Sequence, residues 1–183
     1  MNTKVIITGP HTMDKLSIAK QIVADNDNLS IAPTFTTDME YKDIAPDNDE
    51  YIYYMGVESV ELTMKNNFTL FMSTHNYITK GITIDNFYNN DIFCMELEDF
   101  NNISDHMLQQ YDLIVIWVDA PIKNGTDSLT YVDICETKYL EERLETLPYL
   151  YFFNSDKEEI SSILNAYLFA DDNEKQHILD ENN

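Results

Sequence analysis

The main sequence signal for the fold lies in Lys4-Val-Ile-Ile-Thr-Gly-Pro-His-Thr-Met-Asp-Lys-Leu-Ser17. Its first half is a run of β-branched residues that ends at Gly9 and Pro10, which predicts a short buried strand followed by a turn. From Asp14 to Ala24, apolar residues recur at helical spacing, which predicts a helix. A strand, a turn and a helix in this order predict the first unit of an α/β fold.

The turn between this strand and helix keeps part of a phosphate-binding loop. Such a loop has the pattern GxxxxGK[ST], in which the glycines let the backbone wrap a phosphate and the lysine bridges two phosphates. The hydroxyl residue that follows the lysine holds Mg²⁺. Gly9 and Lys15 stand at the correct spacing, but Asp14 replaces the second glycine, Leu16 replaces the hydroxyl residue, and Ser17 comes one position late. The degenerate loop therefore comprises Gly9, Pro10, Thr12, Asp14, Lys15 and Ser17.

These replacements change what the loop can bind. We expect Asp14 to cap the helix with its own carboxylate and to repel a phosphate there. We expect Leu16 to coordinate no metal. For Lys15 two interpretations stand side by side: a residual contact with phosphate, or a solvated helix residue that pairs with Asp14.

Two later runs of the chain are almost continuously apolar, which is typical of central strands buried on both faces. One covers residues 92–97 and the other residues 113–118. Segments with helical spacing accompany them, at residues 100–110, 132–147 and 156–169. Strands that alternate with helices predict a mostly parallel sheet with helices on both faces.

The charge balance is strongly acidic, with 33 Asp and Glu residues against 11 Lys and Arg residues and a net charge of -22. Arg143 is the only arginine in the sequence. Such a surface repels the phosphates of nucleic acids and of anionic lipids, and it favours a basic protein partner. We therefore expect no nucleic-acid and no membrane partner. Cys94 and Cys135 lack the spacing of metal ligands, and we interpret them as reduced structural thiols.

An ordered series of short matches along residues 4–168 resembles the guanylate kinases, a branch of the P-loop nucleoside monophosphate kinases. The matches are Gly9-Pro10, Asn28-Leu29, Thr36-Thr37, the tyrosine-rich Tyr51 to Tyr54, Tyr77 with Gly81, the run Asp112 to Pro121, and Leu150 to Asn154. With its altered loop, the chain resembles a degenerate member. The resemblance implies a P-loop-kinase-like domain over residues 1–170. It also implies an inserted nucleoside-monophosphate lobe at about 34–82 and a reduced lid at about 121–132. An acidic tail, which we expect to be frayed or extended, follows at 171–183.

The resemblance also implies where a nucleoside would lie. In working members, arginines after the paired threonines grip the phosphate of GMP, whereas here Asp38 stands in the first of those places. The position that usually reads the guanine edge falls, by spacing, on Phe71. The candidate nucleoside pocket comprises Asp38, Tyr51, Tyr53, Tyr77, Glu96 and Glu98. The acidic run at Glu96, Glu98 and Asp99 has a second interpretation as a divalent-cation site, although we assign no metal.

Three hypotheses on function follow from these residues. The first is a catalytically silent guanylate-kinase-like protein that acts by binding a protein partner and needs no cofactor. The second is a divergent nucleoside monophosphate kinase that uses ATP and Mg²⁺, with Lys15 as its catalytic residue. The third is an acidic inhibitor that mimics nucleic acid. A chain rich in Asn, Asp and Tyr with one arginine suits a viral or phage structural or host-interaction protein. We expect it in the cytoplasm, or in the host cytoplasm or virion if it is viral.

Overall fold

The computed structural model describes residues 3–10, 13–43, 51–66, 68–119 and 131–183. The strands are β1 (Lys4–Gly9), β2 (Thr34–Thr36), β3 (Ile52–Tyr54), β4 (Thr69–His75), β5 (Ile78–Thr83), β6 (Ile92–Glu96), β7 (Leu113–Asp119) and β8 (Tyr149–Phe153). The helices are α1 (Lys15–Asp25), α2 (Val57–Lys65), α3 (Ile84–Asn89), α4 (Leu97–Asn102), α5 (Asp105–Leu108), α6 (Tyr131–Leu144), α7 (Lys157–Phe169) and α8 (Asp172–Glu181). A short 3₁₀ helix covers Met39–Tyr41.

The first sheet has the strand order β6-β1-β7-β8, and all its neighbouring strands are parallel. Alternate residues of β1 point to opposite faces, so that Ile7 packs into the core that includes α1 and α7, whereas Ile6 packs into the core that includes α4 and α6. The strands are mostly apolar because both faces of the sheet are covered. The predicted α/β architecture, a parallel sheet flanked by helices, is confirmed.

A second, mixed sheet has the order β3-β2-β5-β4. Strands β4 and β5 form a hairpin whose turn residues Asn76 and Tyr77 have positive φ angles of 50° and 67°. The ring of Phe35 on β2 lies over Gly81 on β5. A Cβ atom added to Gly81 would come within 2.7 Å of that ring. The strands of this sheet lie within residues 34–83. The boundaries of the domain at 1–170 and of the lobe at about 34–82 stay predictions. The predicted lid at 121–132 lies outside the described residues, apart from the first residues of α6.

Two expectations about helices were wrong. The segment at 100–110 is not one helix: α4 ends at Asn102 and α5 begins after Ser104, whose hydroxyl accepts a hydrogen bond from the Met107 amide. The tail is helix α8 and not an extended segment, because Asp171 and Glu174 form a capping box at its start.

The end of the tail also attaches to the first sheet. The Tyr151 amide of β8 donates to the Asn182 carbonyl at 3.1 Å, and the Asn183 side chain donates to the Tyr149 carbonyl at 3.1 Å. These bonds cover the outer edge of β8. Among the described helices, none is long and apolar enough to cross a membrane.

Candidate functional site

Lys15 is turned back into its own loop. Its ammonium group donates to the carbonyls of Gly9, Pro10 and Met13 at 3.4, 3.0 and 3.3 Å. It also forms an ion pair with Glu96 at the end of β6, with 2.9 Å between Nζ and Oε2. Lys15 is 6% exposed and Glu96 is 48% exposed. The interpretation of Lys15 as a solvated residue paired with Asp14 was therefore wrong, because the side chain is buried and its ionic partner is Glu96.

Asp14 caps helix α1, as predicted. Its carboxylate accepts a hydrogen bond from the Ser17 amide at 3.0 Å, so an acidic group occupies the helix N-terminus where a phosphate would bind. Leu16 is partly buried against the core on the α1 face of the sheet. Thr12 lies outside the described residues.

Gly9 is required by the packing of β1 against β7. A Cβ atom there would lie 2.2 Å from the Val118 carbonyl oxygen, closer than real Cβ contacts allow. The next residue, Pro10, contributes its carbonyl to the ring of oxygens around Lys15. The carbonyls of the described loop residues therefore face the chain's own lysine.

A cavity of about 240 Å³ lies between this loop, the end of β6 and one face of the second sheet. Its walls are largely apolar. The apolar lining residues are Met13, Leu16, Ile31, Ala32, Ile52, Phe71 and Met95. The remaining lining residues are Asp14, Lys15, Thr34, Tyr51, Lys80, Cys94, Glu96 and Asp99.

Asp99, in the first turn of α4, is the unusual polar residue of this cavity. It is 6% exposed, and its Oδ1 atom has no hydrogen-bond partner among the described residues. Burial raises the pKa of this carboxyl, and the carboxylates of Glu96 and Glu98 raise it further, while hydrogen bonds from Ser73 and from the Glu96 backbone lower it. Our nucleoside-pocket set did not contain Asp99, although it belongs to the acidic run that the sequence singled out.

The other predicted pocket residues fall in different places. Tyr51 and Glu96 line the cavity, whereas Glu98 is not among its lining residues. Tyr53 is paired with Phe35 in the second sheet, on the face opposite to the cavity-lining Ile52. Its hydroxyl accepts a hydrogen bond from the Asn86 side chain at 3.4 Å.

Two further predicted residues lie away from the cavity. Tyr77 is at the tip of the β4–β5 hairpin and is fully exposed. Asp38 caps the 3₁₀ helix by accepting from the Glu40 amide at 3.0 Å. The structure does not bring either of them to the cavity. Phe71 lines its wall.

Cys94 is a structural thiol on the cavity side of β6. Burial raises its pKa to about 12, and its Sγ donates to the Lys15 carbonyl at 3.4 Å. A thiol with such a pKa stays protonated at neutral pH, so it offers no thiolate nucleophile. Within the described ranges, no three His, Cys, Asp or Glu residues are placed to share a metal ion.

Arg143, the only arginine of the sequence, is used inside the fold. Its guanidinium donates to the backbone carbonyls of Phe100 and Ile103, the second at 2.6 Å, and pairs with Asp105 at 3.0 Å. It also lies 4.8 Å from the centroid of the Phe100 ring. These contacts join α6 to the break between α4 and α5. Arg143 is not among the residues that line the cavity.

Comparison with known proteins gives a result at the level of structure. No protein-family model matches the sequence, and no curated protein matches it. Among solved structures, the guanylate kinase from Anaplasma phagocytophilum superposes on the chain with a TM-score of 0.60 at 15% sequence identity. The match covers 92% of this chain and 87% of that one. The chain therefore has a guanylate-kinase-like fold.

Proposed function

We propose that the chain is a catalytically silent guanylate-kinase-like protein that acts by binding a basic protein partner. The main support for the absence of catalysis is the environment of Lys15. This lysine already has an ionic partner in Glu96 and three carbonyl acceptors. A phosphate at the loop would have to displace or share these contacts.

Asp14 and Leu16 remove the rest of the phosphate chemistry. The carboxylate of Asp14 sits at the N-terminus of α1, and its repulsion of a phosphate charge at about 4 Å is on the order of 4 kcal/mol at an effective dielectric constant near 20. Leu16 provides no oxygen for Mg²⁺. Phosphoryl transfer depends on positioned cations around the transferred group, and the single arginine of the sequence is engaged at α4 and α5.

The charge of the chain supports a basic partner. A net charge of -22 gives a field that speeds the encounter with a cationic surface and that salt screens beyond about 8 Å. Such a field opposes the approach of nucleic acids. A role as a viral or phage structural or host-interaction protein agrees with the composition and belongs to the same proposal.

Calorimetry of the full chain with MgATP, MgGTP and GMP tests catalytic silence. We expect no binding at micromolar concentrations. The double variant Asp14→Gly, Leu16→Ser serves as the matched control and should gain phosphate affinity without gaining transfer, because the arginines are still absent. Micromolar affinity of the unmodified chain, or transfer to GMP at about 1–100 s⁻¹ as in ordinary kinases, contradicts the proposal.

Binding to a basic partner needs a separate measurement. A protein captured from the native host is purified, and its association rate with this chain is followed at increasing ionic strength. The rate should fall steeply with salt, as it does for encounters steered by charge. A rate that does not depend on salt speaks against a partner recruited by the acidic surface.

A further inference from the structure

The cavity beside Lys15 keeps a buried carboxyl group, one oxygen of which has no hydrogen-bond partner among the described residues. Asp99 is more than nine-tenths buried, lines the cavity, and has one oxygen without a hydrogen-bond partner there. A buried polar group without a partner is destabilising, and an ionised one is more so. A ligand that donates a hydrogen bond to this oxygen, and especially a cationic one, offsets that destabilisation.

We propose that the cavity receives a lysine or arginine side chain of the basic partner, with Asp99 as its counter-ion. This inference rests on the proposed function, because it names the group through which that partner is held. The occupant is one cationic side chain of a protein, and the chemistry of the walls, the size of the cavity and its charges favour it.

The walls suit the aliphatic part of such a side chain. Ile31, Ile52, Phe71 and Met95 form much of the lining, and lysine and arginine bury their methylene stems against apolar surfaces while the charged end seeks a polar partner. The volume of about 240 Å³ is below the roughly 300–1,000 Å³ of pockets that enclose a drug-sized ligand. The cavity therefore fits a single side chain better than a whole nucleotide.

The charges around the cavity favour a cation over an anion. Lys15 and Glu96 form an ion pair, so their charges largely cancel. Asp14 already accepts the hydrogen bond from the start of α1 and repels anions there. The two groups that remain are Asp99, which is buried, and Lys80, which is exposed. Because water screens an exposed charge far more than a buried one, Asp99 dominates the preference of the cavity.

The first test uses short peptides as probes of the cavity. Three capped pentapeptides differ only at the central residue, which is arginine, lysine or citrulline. Citrulline has the shape of arginine without its charge. In a ¹⁵N NMR titration of the full chain at low ionic strength, the arginine or lysine peptide should shift the amide signals of Cys94, Glu96 and Asp99. The citrulline peptide should leave them in place. Equal shifts with arginine and citrulline overturn the inference.

Two variants then locate the counter-ion. Asp99→Asn should weaken binding of the cationic peptide by roughly tenfold to a hundredfold, the range for loss of a hydrogen bond to a charged group. Glu61→Gln on the exposed face of α2 removes one negative charge from outside the cavity, and its affinity should stay within about twofold of the unmodified chain. An equal loss in both variants shows that only the general negative field attracts the peptide, and this overturns the inference.

Lys80→Met gives a test that depends on sign and needs no change at Asp99. Removal of this like charge should tighten the cationic peptide by about twofold to fivefold, as expected for an exposed charge pair. If the cavity instead accepts anions, GMP or a peptide with a central glutamate produces the shifts and Lys80→Met weakens them. That outcome overturns the inference.

The failure of this inference differs from failure of the proposed function. If the captured partner binds Asp99→Asn as tightly as the unmodified chain, the cavity is not its docking point, although the protein-binding role stands. If the unmodified chain phosphorylates GMP, the proposal of catalytic silence is wrong, whether or not the cationic peptides bind.

Discussion

Replacing Glu96 with glutamine removes the charge opposite Lys15 and keeps the size and hydrogen-bonding reach of the side chain. Lys15 would then remain 6% exposed, and its acceptors among the described residues would be the neutral carbonyls of Gly9, Pro10 and Met13. Removal of one partner from a buried ion pair is costly because the other charge stays buried without compensation. We therefore expect Glu96→Gln to destabilise the fold.

The size of the effect follows from the distance and the exposure of the two groups. At 2.9 Å between Nζ and Oε2, the Coulomb energy is about 1.4 kcal/mol in water and about 5.7 kcal/mol at an effective dielectric constant of 20. Lys15 is buried, but Glu96 is 48% exposed, so water reaches one side of the pair and the higher figure does not apply. We expect a loss of about 2 kcal/mol, which matches a hydrogen bond to a charged group.

Urea unfolding at pH 7 measures this loss, provided that the m-value is unchanged. The control is Glu181→Gln, which breaks the exposed pair of His177 and Glu181 on α8, 3.3 Å apart. It should change the free energy of unfolding by no more than about 0.5 kcal/mol. A double-mutant cycle with Lys15→Met isolates the pairwise energy. If Glu96→Gln costs no more than Glu181→Gln, the pair does not stabilise the loop and our account of Lys15 is wrong.

Three further predictions test other parts of the structure. Burial raises the pKa of Asp99 above its ordinary value of 3.8, so the folded chain binds that proton more tightly than the unfolded chain does. The contribution of Asp99 to the free energy of unfolding should therefore fall as pH rises from 3.8 through the raised pKa. Asp99→Asn should remove that component, and urea titrations from acid to neutral pH that give parallel profiles for both proteins contradict it. Gly9→Ala places a Cβ atom 2.2 Å from the Val118 carbonyl oxygen and should cost about 1–3 kcal/mol; an unchanged melting temperature counts against this packing. Asp171→Ala removes the capping box of α8 and should cost that helix about 1 kcal/mol, which amide hydrogen exchange within α8 measures; unchanged protection there argues against the cap.

The sequence predicted the first sheet because its strands carry a strong local signal. The runs of β6 and β7 are buried on both faces and are therefore almost continuously apolar, and β1 is a run of β-branched residues. The second sheet carries a weaker signal. Its strands β2 and β3 have three residues each, and β5 contains Lys80 and Gly81 between its apolar residues. A strand as short as β2 leaves no periodic pattern to read.

The candidate site was predictable only in part, for two physical reasons. The partner of Lys15 is 81 residues away in the chain, so only the folded structure could reveal that ion pair. In the run from Glu96 to Asp99, β6 ends at Glu96 and α4 begins at Leu97. The side-chain period changes from 2 to 3.6 at this junction. The sequence therefore could not say which carboxylate faces the cavity, and our nucleoside-pocket set took Glu98 and left out Asp99.

The contacts of Lys15 give a physical reason for a phosphate-loop lysine in a chain that we propose to be silent. Its ammonium group links the carbonyls of the loop after β1 to the carboxylate at the end of β6. Those two strand ends are neighbours in the parallel sheet, with Gly9 paired to Glu96. In the proposed protein, Lys15 thus stabilises the rim of the sheet in the place where a kinase would use it to hold phosphate. Loss of nucleotide binding would then remove one use of the lysine and leave the other, so the presence of Lys15 in the sequence is not by itself evidence of catalysis.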